Sequence, residues 1–132
     1  MSSENAADGV FSFSWEGKAV GVNRRLMMTK HGRYMLTPEY RSFKESLGEE
    51  LLGVAGVEAL DGDLEASIHQ YSNHDVDALL KPVLDVMEDV GVIENDKNVM
   101  RATMSREPKK KRSDPDRISF SIWQVDNEEQ GE

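Results

Sequence analysis

The chain has 132 residues and a mass of 14.9 kDa, with 38% hydrophobic and 31% charged residues and a formal net charge of -9. That length supports one domain with one modest core, and the absence of cysteine excludes disulfides, thiolate metal sites and cysteine nucleophiles. The negative balance argues against a generic nucleic-acid binder, which is normally basic.

In chain order, residues 1–9 are polar and expected to be disordered. Phe11, Phe13 and Trp15 alternate with Ser12, Ser14 and Glu16, the period of a strand with one buried face. A loop is expected from Gly17 to Leu36, with Met27 and Met28 as interface or core fillers and His31 exposed. Within it, Arg24, Arg25, Lys30 and Arg33 occur without an intervening acid. Thr37-Pro38-Glu39 then opens a helix, with threonine as cap, proline in the first turn and an acid at the positive end of the helix dipole. Tyr40, Phe43, Leu47 and Leu51 recur at helical spacing, and Gly53 and Gly56 are expected to close that helix. After a turn at Asp61-Gly62-Asp63, Leu64, Ala66 and Ile68 alternate with polar residues, so a strand is expected to deliver the chain to Asp75.

The stretch His74 to Asp96 is the most informative in the chain. Val76, Leu79, Leu80, Val83, Val86, Met87 and Val90 form an apolar stripe that seats a helix on a sheet. Pro82 is compatible with that helix only in its first turn, which sets the start near residues 78–81, and Gly91 suits its end. If Asp75 and Asp77 lie on extended chain, their side chains share one side, where like charges repel unless a proton or cation lies between them. Magnesium, with manganese as the other candidate, suits such hard oxygen ligands. The plainer alternative makes Asp77 a helix cap and Asp75 its solvated neighbour. Lys81 follows Asp77 by one helical turn, close enough to pair with a carboxylate or with a phosphate brought to it. Asp96 lies past the helix and must return to the others through the tertiary fold.

Beyond Asp96, a strand is expected over Val99 to Ser105. Lys109-Lys110-Lys111-Arg112 makes a basic loop, and Asp114-Pro115-Asp116 turns the chain into a last strand bearing Ile118, Phe120 and Ile122. The acidic segment 126–132 is a tail, leaving residues 10–125 as the domain. The expected fold class is α+β, with a mixed β-sheet of about four strands packed by two helices. With no apolar run long enough to span a bilayer and no basic-then-apolar leader, a cytoplasmic protein is expected.

The pattern Asp75-x-Asp77, lysine four residues on, an apolar helix, Gly91-Val92-Ile93 and a closing Asp96 before an apolar strand resembles the RusA family of Holliday-junction resolvases. A second block, Gly21-Val22-Asn23-Arg24-Arg25, resembles that family's asparagine-bearing loop, and the likeness extends from about Phe11 to Val125. The chain departs from the family pattern at Ala78, where asparagine is usual, at Tyr71 to His74, where arginines are common, and at Lys18-Ala19-Val20, where prolines are.

The resemblance implies a RusA-like fold of prokaryotic or viral origin and a magnesium-dependent homodimeric endonuclease that acts on four-way junctions in DNA recombination and repair. By the same resemblance Asp75, Asp77 and Asp96 hold the metal, and Lys81 joins them in catalysis. Asn23, Arg24, Arg25, Lys30, Arg33, Lys109, Lys110, Lys111 and Arg112 are the candidate DNA contacts. Two other classes remain open on the residues. One is a junction-binding or architectural protein that cuts poorly, and the other an acidic domain that binds metal or a protein partner and does not act on DNA.

Overall fold

Strands that alternate apolar and polar residues present one face to a core, and here that face is covered by two helices. The computed structural model describes residues 10–22, 25–54 and 59–125; the expectations for residues 1–9, Asn23, Arg24, Gly56 and the tail 126–132 lie outside them. The elements are β1 (Val10–Gly17), β2 (Leu26–Met28), β3 (Tyr34–Leu36), α1 (Pro38–Val54), β4 (Leu64–Tyr71), α2 (Leu80–Asp89), a 3-10 turn (Asp96–Asn98), β5 (Val99–Glu107) and β6 (Asp116–Gln124).

The main sheet has the order β1-β6-β4-β5. Its β1–β6 and β6–β4 pairs are antiparallel and its β4–β5 pair is parallel, with α2 in the connection that a parallel pair requires. The class is therefore α+β with a mixed four-stranded sheet and two helices, as the residue pattern implied. Register explains the core: Phe11, Ile122 and Ala66 lie side by side across three strands, as do Phe13, Phe120 and Ile68. Against this face α1 buries Tyr40, Phe43, Leu47 and Leu51, and α2 buries Val83, Val86 and Met87. Each such large apolar side chain contributes about 1.5–3 kcal/mol on leaving water. The aromatic stripe of β1 is thus structural, with Trp15 packed on Phe43 at 5.1 Å between centroids and its indole N–H donated to Ser46. The opposite sheet face carries Ser12, Ser121 and Ser67 in one row and Ser14, Ser119 and His69 in the next.

Several local expectations change. The segment expected as a loop from Gly17 to Leu36 contains the β2–β3 hairpin, where Met27 and Met28 are exposed and fill no core. Helix α1 ends at Val54, one residue past Gly53 and within the Gly53 to Gly56 span expected to close it. Its predicted cap holds, with the Tyr40 N–H donated to Thr37 Oγ1 at 3.2 Å. Strand β4 stops at Tyr71 and a bend over residues 72–74 follows, so Asp75 lies beyond the strand and Asp77 within a turn. Asp77 does not cap α2: the preceding residue is Leu79, which offers no side-chain bond, and Val76 is exposed and outside the helix. Pro82 is the third helical residue, where its missing N–H has no partner to lose. Gly91 adopts φ +86, the left-handed conformation that ends α2. No helix among the described residues is long and apolar enough to cross a membrane.

Candidate functional site

The turn that carries Asp75 and Asp77 is built by a polar residue in a core position. Along β4 the inward side chains are Leu64, Ala66, Ile68 and then Gln70, which is fully buried. Its amide donates to the carbonyl oxygens of Asp75 at 3.0 Å and Val76 at 3.1 Å, while its own carbonyl accepts from the Ser72 hydroxyl. Ser72 is buried too and accepts the His74 N–H at 3.1 Å. The Ala78 N–H closes the turn onto the Asp75 carbonyl at 3.0 Å. Buried polar groups must be paired, so this relay holds the turn in one shape. It leaves the carboxylates of Asp75 and Asp77 exposed, with no hydrogen bond or ion pair to another described residue.

Lys81, in the first turn of α2, does not pair with these two. Its ammonium lies 3.0 Å from Asp85, one turn along the helix, and 3.0 Å from Asp96. Those bonds, to Asp96 first and Asp85 second, hold the lysine pKa above its ordinary value. The fold thus unites two of the four motif residues across 15 positions of sequence. Asp96 is set by its own anchors: its N–H donates to Glu88 at 2.9 Å, and Asn95 caps the 3-10 turn by accepting from Lys97. Behind this cluster stands Tyr40, whose buried hydroxyl has no hydrogen-bond partner among the described residues. Burial and then the Asp85 charge raise its pKa, while Arg25 and Lys81 oppose them.

A second charged cluster lies in the interior. Asp116, 6% exposed, occupies the inward position that begins the series Asp116, Ile118, Phe120 and Ile122 of β6. It accepts the Ala19 N–H at 2.9 Å, pairs with Lys109 at 3.1 Å and faces His74 Nε2 at 3.4 Å. Burial by itself would raise the Asp116 pKa, and the His74, Ala19 and Lys109 contacts together overcome it and lower the value. His74 Nε2 also meets the Ala19 carbonyl at 3.0 Å, so the imidazole is held on the edge preceding Asp75. These residues, with Lys18, Thr37 and Asn73, line a cleft of about 610 Å³.

The candidate DNA contacts divide. Lys30 and Arg33 are exposed and Arg25 half-buried on or beside the β2–β3 hairpin, and Lys110, Lys111 and Arg112 are exposed. Lys109 is engaged internally, its ammonium on Asp116 and on the Asp114 carbonyl at 2.9 Å. Asn23 and Arg24 lie outside the described residues. Sequence reasoning passed over Gln70 and Asp116, although both stand in the core-facing register of otherwise apolar strands. That mismatch was the signal.

The donor chemistry of Asp75, Asp77 and Asp96 suits a hard cation. Their arrangement provides Asp75 and Asp77 near one another in sequence on one turn, whereas Asp96 is held by Lys81. Among the described residues no group of three or more His, Asp or Glu side chains is gathered as a metal site would need. No family model matches the chain, and no curated protein matches it.

Proposed function

We propose that this chain is a metal-dependent endonuclease that cuts branched DNA, resolving four-way junctions by paired symmetric cuts as a two-fold dimer. The observation that carries the reading is a turn bearing two exposed, unpaired carboxylates, Asp75 and Asp77, at the entrance to the helix that carries Lys81. It agrees with the resemblance of the Asp75, Asp77, Lys81 and Asp96 spacing to RusA resolvases. Asp75 and Asp77 are the groups available to a magnesium or manganese ion, and the Gln70 relay keeps their turn from collapsing when that charge is absent. Such an ion supplies a polarised phosphate and an activated water. Lys81 brings positive charge to the phosphate that is cut, once its hold on Asp96 and Asp85 is exchanged for the substrate. Each four-way junction needs two equivalent cuts, which one site per subunit of a two-fold dimer provides.

The engagement of Asp96 by Lys81 favours one alternative, a junction-binding protein that cuts poorly. The deciding experiment is cleavage of a synthetic four-way junction in magnesium, with chelator and Asp77→Asn controls and a linear duplex of the same sequence. Paired nicks confined to the junction and lost in both controls support the endonuclease. Tight junction binding without nicks supports the binding protein, and neither binding nor nicks would leave an acidic domain that does not act on DNA.

A further inference from the structure

The β2–β3 ribbon is not explained by the fold. All six of its strand residues are exposed, and they are uniformly large and apolar: Leu26, Met27 and Met28 against Leu36, Met35 and Tyr34. Pairing puts Leu26, Leu36, Met28 and Tyr34 on one face and Met27 and Met35 on the other, so the ribbon offers apolar surface on both sides. A two-stranded ribbon is marginal alone, and a contiguous apolar patch of this kind marks a binding surface.

Its charge indicates what it meets. From Arg25 to Leu36 there are three cationic residues, Arg25, Lys30 and Arg33, and no acid, in a chain of net charge -9. The tip is closed by hydrogen bonds: the Thr29 N–H donates to the Arg33 carbonyl at 2.7 Å, Gly32 turns at φ +79, and Thr29 Oγ1 accepts the Arg33 N–H. The base is continuous with the candidate site, since the Val22 N–H donates to the Ala78 carbonyl at 3.0 Å, one residue past Asp77. Arg25 there is near enough to Tyr40 to act on its ionisation together with Lys81 and Asp85.

We propose that this ribbon selects branched over linear DNA by inserting its apolar side chains between bases at the branch point, an inference that rests on the DNA reading above. Apolar wedges, methionine and leucine among them, enter base steps at the cost of unstacking, and aromatic rings stack on exposed bases. A continuous duplex must be unstacked to admit the ribbon. A branch point already interrupts the stack, so the same insertion is favoured there, while Lys30, Arg33 and Arg25 hold the flanking phosphates.

The test compares the full chain with its Tyr34→Ala and Met28→Ser variants, whose altered side chains are exposed and whose folding is checked by circular dichroism. Affinity for a four-way junction and for a linear duplex is measured with each, and thymines at the branch point are probed with permanganate, which attacks unstacked thymine. The wild-type chain should raise branch-point reactivity, and each variant should lower that reactivity and reduce the junction-to-linear affinity ratio about tenfold, the scale of one lost stacking contact. An unchanged ratio and footprint with junction binding intact overturn the insertion and leave the DNA reading standing. Failure of the wild-type chain to bind the junction overturns both. Conversion of a dimer to a monomer by these substitutions, seen by light scattering, assigns the ribbon to a second copy and overturns the insertion as well.

Discussion

Two charged clusters stand a few residues apart in this molecule and use their charge in opposite ways. Around Asp116 the carboxylate is buried and every partner is internal, whereas Asp75 and Asp77 are exposed and pair with nothing described. Lys81 lies between these extremes, half-exposed and shared by Asp85 and Asp96. A charge removed from water must be matched by neighbours, so the interior cluster is committed to holding Ala19, His74 and Lys109 together. A charge left in water keeps its freedom to take a cation or face a phosphate. The contrast separates residues that build the site from residues that would act in it.

Four substitutions sharpen this contrast. The largest effect is expected from Asp77→Asn, which should lower magnesium-dependent junction cleavage at least about 100-fold while shifting the urea midpoint of unfolding little, because the carboxylate supports no described contact. Asp116→Ala should do the reverse. It leaves the Ala19 N–H without its acceptor and the Lys109 ammonium without its carboxylate, and should cost about 3 kcal/mol in urea unfolding followed by tryptophan fluorescence. Gln70→Leu removes both donors from the Asp75 and Val76 carbonyls and should cost about 1–3 kcal/mol, with faster amide exchange over residues 75–78 as its local signature. Lys81→Met should change stability by less than about 1 kcal/mol, since its two ion pairs are solvated, yet lower cleavage.

The same contrast has a pH dependence. The Asp116 pKa is lowered in the folded chain. Its stabilisation is therefore fully present above the ordinary aspartate value of about 3.9 and is lost as pH falls through the folded value. Acid titration of the wild-type chain below about pH 4 should show a loss of stability from this group that Asp116→Asn lacks. Equal acid sensitivity in the two proteins would remove Asp116 from the interior role.

Much of the architecture was legible from residue periodicity. The stripes Phe11/Phe13/Trp15, Leu64/Ala66/Ile68 and Ile118/Phe120/Ile122 marked strands because alternate side chains of a pleated chain face one way, and Thr37-Pro38 marked the start of α1 because cap chemistry is local. The β2–β3 hairpin was missed because neither of its three-residue strands alternates, its residues being apolar on both faces. The position of Asp75 and Asp77 was misjudged for a different reason. Three residues separate Tyr71 from Asp75, and their course is set by tertiary contacts, among them the Gln70 side chain reaching back under the chain.

The sequence alone determined the α+β class, the helical stripe that seats α2, the Thr37 cap and the placement of acids at 75, 77 and 96, since these depend on neighbours within a turn or a strand. Tertiary structure decided which charges meet. Lys81 is four residues from both Asp77 and Asp85, and local spacing cannot choose between them. The choice falls to Asp85 because Asp77 lies on the preceding turn outside α2, while the return of the chain past Glu88 brings Asp96 to the same ammonium. Likewise Asp116 acquires Ala19, His74 and Lys109 only when β6 is inserted between β1 and β4, since contacts across that span are fixed by strand order and not by any local preference.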